Sequence, residues 1–213
     1  MRIVVFGAAG RVGQRLVNEA LLRHHKVTAV VRTPEAIRYV SAEASVRTGN
    51  AANVEEVIEL SRGHDVILNA TRSATSDVDE VACMTRALIT GAECHAARLF
   101  VVGGAAGLTV PDRTGVTVLD DPRFLPTAMR SVGLASIAQL RICQSECNVN
   151  WTYLCPPALL LDGERTGQYR LGGQALLVDE SGESKLSTHD LAVVALDEME
   201  HPRHINTYFT AAY

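Results

Sequence analysis

The sequence predicts a doubly wound α/β fold, a parallel sheet flanked by helices, in one domain with a small C-terminal extension. Three observations carry that expectation. Short apolar runs that read as strands alternate with stretches of helical periodicity through the first three-quarters of the chain. A glycine-rich turn, Gly7-Ala8-Ala9-Gly10-Arg11-Val12-Gly13, joins the first run to the first helix. The 213 residues are 47% hydrophobic and 21% charged, an ordinary globular balance in a chain long enough to bury a sizeable core.

Taken in order, Arg2 to Phe6 is a strand, and a helix from about Val12 to Leu22 carries Val12, Leu16, Ala20 and Leu21 at helical spacing. Val27 to Val31 is the second strand. Thr33-Pro34 opens a short helix, because proline is tolerated at the first helical position. A brief third strand lies around Ser45 to Arg47, and Asn53 has the side chain of an N-cap for a helix through Leu60. Asp65 to Asn69 suits a strand buried on both faces, Val78 to Ala97 a long helix, and Leu99 to Val102 the fifth strand. Parallel strands need crossovers, and right-handed crossovers place helices on both faces. Gly103 to Met129, rich in Gly, Pro and Asp, reads as a long loop of the functional or mobile kind. Arg130 to Cys147 restores a helix, and Trp151 to Cys155 a strand that Pro156-Pro157 ends. Gln168 to Leu171 and Ala175 to Val178 read as a hairpin around Gly172-Gly173. Thr188 or Asp190 caps a helix through Glu200, and Asn206 to Thr210 is the last strand.

The net charge of -4 gives no basic surface for nucleic acid. No apolar run approaches the roughly 20 residues of a membrane span, and the N-terminus enters a strand pattern with no signal-peptide pattern, so a cytoplasmic location is the default expectation. The cysteines (Cys83, Cys94, Cys143, Cys147, Cys155) are odd in number and irregularly spaced, which points to buried thiols rather than a disulfide framework or a metal site. Cys143 and Cys147, four apart on a predicted helix, could both face the core. His24-His25 read as the exposed end of the first helix, and the His201-x-x-His204 pair as surface residues without further metal ligands.

Each glycine of Gly7-x-x-Gly10-x-x-Gly13 has a physical task. The first permits the tight turn, the second lets a pyrophosphate approach the backbone, and the third lets helix pack closely on strand. The pyrophosphate then meets free N–H groups at the positive end of the helix. The bare spacing arises by chance in roughly one chain in ten of this length. Its place between the first strand and the first helix gives it weight.

With this turn, Val31-Arg32-Thr33-Pro34, Val101-Val102-Gly103-Gly104-Ala105, Trp151 through Pro157 and Ser187-Thr188-His189-Asp190-Leu191-Ala192, the chain resembles atypical members of the short-chain dehydrogenase/reductase superfamily. More narrowly it is similar to small NAD(P)H-binding proteins of the NADH-flavin reductase and biliverdin reductase B type. The resemblance implies a Rossmann-like fold and a dinucleotide cofactor over nearly the whole chain. It implies adenine contacts near Asn50. Residues 156 to 190 would cap the substrate side.

The cofactor expected is NADP(H) rather than NAD(H). Strand two is followed by Arg32 and not by a carboxylate that would grip the ribose hydroxyls. A guanidinium there can pair bidentately with a 2′-phosphate, and Arg11 could add a second charge. The cofactor-binding residues expected are Gly7, Ala9, Gly10, Arg11, Val12, Gly13, Arg32, Asn50, Asn69, Ala70, Thr71, Gly103, Gly104, Pro156 and Pro157.

No catalytic residue can be assigned. Many superfamily members protonate a carbonyl with a Tyr-x-x-x-Lys pair and a serine. Here the lysines are Lys26 and Lys185, and neither follows a tyrosine by four residues. Gly103-Gly104-Ala105-Ala106-Gly107 holds no serine, and Tyr153 reads as core. No G-x-S-x-G elbow or H-E-x-x-H metal motif occurs. A flavin or quinone can take its proton from water, so the expected function is NADPH-dependent hydride transfer to such an acceptor. The alternatives are a non-catalytic NADP(H)-binding regulator of the NmrA-like kind and a biosynthetic reductase or epimerase with a specialised substrate.

Overall fold

Strand β1 (Arg2–Phe6) divides its side chains between two cores. Ile3 and Val5 bury on one face and Val4 and Phe6 on the other, as a period of two requires. A computed structural model describes every residue of the chain except Ala74. After β1 come α1 (Arg11–Leu22), β2 (Lys26–Val31), β3 (Ser45–Thr48), α2 (Val54–Ser61), β4 (Val66–Asn69), α3 (Val78–His95) and β5 (Arg98–Val102). Then follow α4 (Arg130–Gln144), β6 (Trp151–Cys155), β7 (Leu159–Leu161), β8 (Arg170–Gly172), β9 (Lys185–Ser187), α5 (Thr188–Glu200) and β10 (Thr207–Ala212).

The main sheet has the order β3-β2-β1-β4-β5-β6-β10-β8, and β7 pairs with β9 separately. Its neighbours are parallel except β8, which lies antiparallel on β10. Helices α1 and α5 pack together over Ile3 and Val5, while α2, α3 and α4 cover Val4 and Phe6. The chain builds outward from β1 to β3 and then crosses back to β4 on the other side. The carboxyl ends of β1 and β4 therefore open into the crevice where such sheets bind ligands.

Some local expectations need correction. Ser187 caps α5, not Thr188 or Asp190: its Oγ accepts the Asp190 N–H at 2.9 Å. The Asp190 carboxylate is spent on the Thr166 and Gly167 N–H groups. The hairpin around Gly172-Gly173 does not form. Arg170–Gly172 instead takes the free edge of β10, and Ala175 and Leu176 meet Thr109. Helix α4 stops at Gln144, so Cys147 lies beyond it and is exposed, as are Cys83 and Cys94; only Cys143 and Cys155 are buried. His25 is not free at the helix end, because α5 packs beside it and Glu200 Oε1 lies 2.8 Å from its Nε2. His204 likewise bonds Glu198 and stacks on Phe209.

The stretch from Gly103 to Met129 is a loop, but a packed one. It holds 3₁₀ turns at Ala105–Gly107, Val118–Asp120 and Thr127–Met129, and buries Leu108, Val110 and Val118. Its hub is Asp121, a buried carboxylate that accepts from the Arg123 guanidinium at 2.6 Å and from the Arg123 backbone N–H at 3.1 Å. The guanidinium holds the Asp121 carboxyl down to about 2. A depressed folded-state pKa stabilises the protein above the unfolded value, here about 4, and that contribution fades as pH falls toward 2. Asp121→Asn should therefore lower the melting temperature at pH 7, with the gap to the parent narrowing below about pH 4. An equal gap at pH 7 and at pH 2.5 in thermal scans would contradict this.

Candidate functional site

The glycine turn shows three different local requirements. Gly7 has φ +82°, and a Cβ there would stand 2.6 Å from the Ala70 carbonyl oxygen. At Gly13 a Cβ would stand 2.1 Å from the Gly7 carbonyl oxygen, so helix and strand meet backbone to backbone. Gly10 differs: an added Cβ would meet only that same carbonyl oxygen, at 3.2 Å. Gly10 is also the N-cap of α1 and makes no side-chain cap. The N–H groups of the first turn thus lack intrahelical partners, and the dipole's positive end faces the crevice. This cradle, with no Cβ in it, fits a pyrophosphate.

The crevice has two chambers that meet at Ala70, Thr71 and Arg72. The first, about 420 Å³, is bordered by Gly7, Ala9, Gly10, Arg32, Asn50 and Tyr39. Arg32 is exposed at its rim and enters none of the ion pairs among the described residues. The second, about 330 Å³, is bordered by Val12, Gly103, Gly104, Pro156, Pro157 and the loop side chains Val118, Phe124 and Leu125.

Arg11, Gly13 and Asn69, expected at the cofactor, line neither chamber. Arg11 turns away from Arg32: its guanidinium donates to the Leu160 carbonyl and pairs with Asp162 at 3.3 Å. Its position on α1 puts β7 within reach, and that strand's carbonyl and the acidic residue after it claim the charge. Gly13 lies buried under the turn. Asn69 is buried behind the rim, where its Oδ1 accepts from the Thr71 N–H at 2.9 Å and the Thr71 hydroxyl at 2.6 Å. It shapes the Thr71 turn from behind.

Gly103 and Gly104 owe their identity to packing. A Cβ on Gly103 would lie 1.9 Å from Tyr153 Cζ, and one on Gly104 would lie 2.7 Å from Ser136 Cβ. Tyr153 is fully buried: its hydroxyl donates to the Ser136 carbonyl at 3.0 Å and accepts from the Gly104 N–H at 3.2 Å. Burial raises its pKa well above the ordinary phenol value. Tyr153 is a core residue that props the Gly103-Gly104 wall.

Sequence reasoning missed the contribution of α4. Met129, just before it, then Val132, Gly133, Ser136 and Gln139 face the second chamber at helical spacing. Val132 and Ser136 stand four apart on that face, the separation that a Tyr-x-x-x-Lys pair would need. Among the described residues, this chamber is lined by no Tyr, Lys, His, Asp, Glu or Cys; its only charged side chain is Arg72, at the waist. The hydroxyl of Ser136 donates to the Gly133 carbonyl at 2.9 Å, and that of Ser73 to Glu80 at 2.6 Å. The α4 stripe was readable as periodicity, but nothing local marks which face meets a chamber. Among the described residues, no group of three or more His, Cys, Asp or Glu could hold a metal ion, and no helix is long and apolar enough to cross a membrane.

Sheet, cradle and crevice together define a dinucleotide-binding α/β protein. The chain belongs to the NAD(P)H-binding family, whose pattern it matches over residues 7–202. It is similar to YwnB of Bacillus subtilis, an uncharacterised protein, with 33% identity over 99% of this chain and 97% of the relative. Among solved structures, a protein from Burkholderia pseudomallei, provisionally named as exported, is 33% identical with a TM-score of 0.89, covering all of both chains. A provisionally named epimerase from Bacteroides thetaiotaomicron is also 33% identical, with a TM-score of 0.89 over 100% of this chain and 96% of its own. A Streptococcus pneumoniae protein provisionally named an NADH-flavin reductase is 27% identical, with a TM-score of 0.85 over 100% and 99%.

Proposed function

We propose that the protein is an NADPH-dependent reductase that passes hydride to a flavin, quinone or similar conjugated acceptor. The observation that carries this reading is the second chamber. It adjoins the glycine cradle and is mostly apolar. No side chain in its described lining has the chemistry of a general acid at neutral pH. A reaction that needed a positioned proton donor, as carbonyl reduction or epimerisation does, would find none there. When bound, the dinucleotide supplies a hydride, two electrons and a hydrogen, and one proton from water completes reduction of a conjugated acceptor. The chain's own residues bind and orient. The α1 N-terminus and the Gly10 cradle hold the pyrophosphate, and Arg32 holds the 2′-phosphate. Asn50 and Tyr39 border the adenine end. Thr71 and Arg72 stand at the waist. Gly103, Gly104, Pro156 and Pro157 form the walls that align the two rings, and residues 156 to 190 close the acceptor side. Alignment of this kind can supply much of the rate.

A non-catalytic regulator would share the cradle but gain nothing from an open apolar second chamber. Steady NADPH oxidation with riboflavin or a naphthoquinone tests the reading, and its absence with both would overturn it. Tyr153→Phe should keep turnover within a few-fold of the parent, because that hydroxyl is spent inside the core. General acid catalysis is worth about 10²–10⁴-fold, so a hundredfold loss with cofactor affinity unchanged would identify a proton donor and contradict the mechanism.

A further inference from the structure

The second chamber contains one deeply placed amide. Gln139 is 5% exposed and borders the chamber from α4. Its Nε2 donates to the Thr85 hydroxyl oxygen at 3.5 Å, a marginal bond, while that hydroxyl donates to the Val81 carbonyl at 2.7 Å. One N–H of the amide and its carbonyl oxygen have no other partner among the described residues. That oxygen is not sealed off, so it can bond water or a ligand in the chamber. The other hydroxyls deep in the wall, Ser136 and Ser73, are already committed. Val81, Leu125, Val132 and Ala135, which border the same chamber, are apolar.

We propose that Gln139 is a specificity-determining residue for the acceptor, and that it selects acceptors carrying a cyclic amide or imide edge. This rests on the reductase reading above. An amide with a donor and an acceptor side by side is the complement of a ring C=O next to a ring N–H. A flavin's imide edge and the lactam end of an open tetrapyrrole both present that pair. A quinone presents only the carbonyl, and leaves the Gln139 oxygen unpaired. The imide edge is remote from the hydride-accepting atom of a flavin, so Gln139 acts through orientation and no new proton transfer is needed. A site built to hydrogen-bond its substrate discriminates strongly against analogues that lack the group.

The test compares the parent with Gln139→Met, which keeps the volume and removes both bonding groups, and Gln139→Glu, which keeps the shape and the acceptor but removes the donor. Three quantities are read for each: kcat/KM with riboflavin, kcat/KM with a naphthoquinone, and Kd for NADPH. Riboflavin binding in the presence of NADP⁺, followed by flavin fluorescence, gives a readout independent of turnover. For Gln139→Met we expect a loss of about 10- to 100-fold in riboflavin kcat/KM and a matching loss of binding. The naphthoquinone, whose carbonyl meets only the amide N–H, should lose clearly less, under about fivefold, and NADPH affinity should not change. Gln139→Glu should fall between. Equal losses for both acceptors would mean a packing role and overturn the inference. A loss confined to NADPH affinity would make Gln139 a cofactor contact and also overturn it. A parent that does not bind riboflavin overturns it too. A parent that binds riboflavin through Gln139 yet oxidises no NADPH would sink the reductase reading, and with it Gln139's role in choosing an acceptor.

Discussion

Gly10→Val should abolish dinucleotide binding and leave the protein folded, whereas the same change at Gly13 should prevent folding. The two glycines are three residues apart in one turn, and the structure gives them opposite surroundings. At Gly10 the nearest atom to an added Cβ is a carbonyl oxygen at 3.2 Å, a contact that a small shift relieves. The rest of the valine would project into the cradle, where the pyrophosphate must touch backbone N–H groups. We expect affinity for NADPH to fall at least a hundredfold, with the melting temperature within a few degrees of the parent. At Gly13 the Cβ would lie 2.1 Å from the Gly7 carbonyl oxygen and 2.9 Å from Ala8 Cα, both main chain. No side-chain rotation relieves that clash, so β1 and α1 would have to separate. Calorimetry and circular dichroism on both variants decide the matter. A folded Gly10→Val protein with parental NADPH affinity would show the turn to be purely structural.

Arg32→Ala should weaken NADPH far more than NADH. Arg32 follows β2 at the rim of the first chamber, carries no ion pair among the described residues, and no carboxylate takes the position after it. A hydrogen bond to a charged group is worth about 1.5–3 kcal/mol, so NADPH affinity should drop roughly 10- to 150-fold while NADH changes little. Arg11 is held by Leu160 and Asp162, so the proposed phosphate contact falls to Arg32. Equal losses for the two cofactors would overturn the proposed preference for a phosphorylated ribose.

Much of the fold was legible in the sequence because it rests on periodicity and local chemistry. The β1 alternation, the Asn53 cap and the Pro156-Pro157 strand end each follow from residues a few positions apart, and the structure places them as expected. What was not legible depends on distant partners. Arg170–Gly172 pairs with β10 because that strand offers an unpaired edge, which no turn signal at Gly172-Gly173 could announce. Ser187 wins the α5 cap because Asp190, an equally good cap by type, is drawn to Thr166 and Tyr213. The rim of the crevice was readable from the rule that ligands lie beyond the carboxyl ends of parallel strands, and Gly7, Arg32, Ala70, Thr71 and Gly103 border its chambers. Gln139 was not, because helical periodicity says which residues share a face but not what that face meets. Asn69 ends the right strand, but its side-chain oxygen accepts from Thr71 behind the rim.

In the proposed hydride-transfer site the chain supplies alignment and no proton. The most direct measurement is kcat for NADPH oxidation with a naphthoquinone between about pH 6 and 9, run on the purified chain. The described lining of the second chamber holds no His, Cys, Asp, Glu, Lys or Tyr to give or take a proton, so turnover with a flat profile is expected. A sloping or bell-shaped profile, or no oxidation of NADPH at any pH, would contradict it.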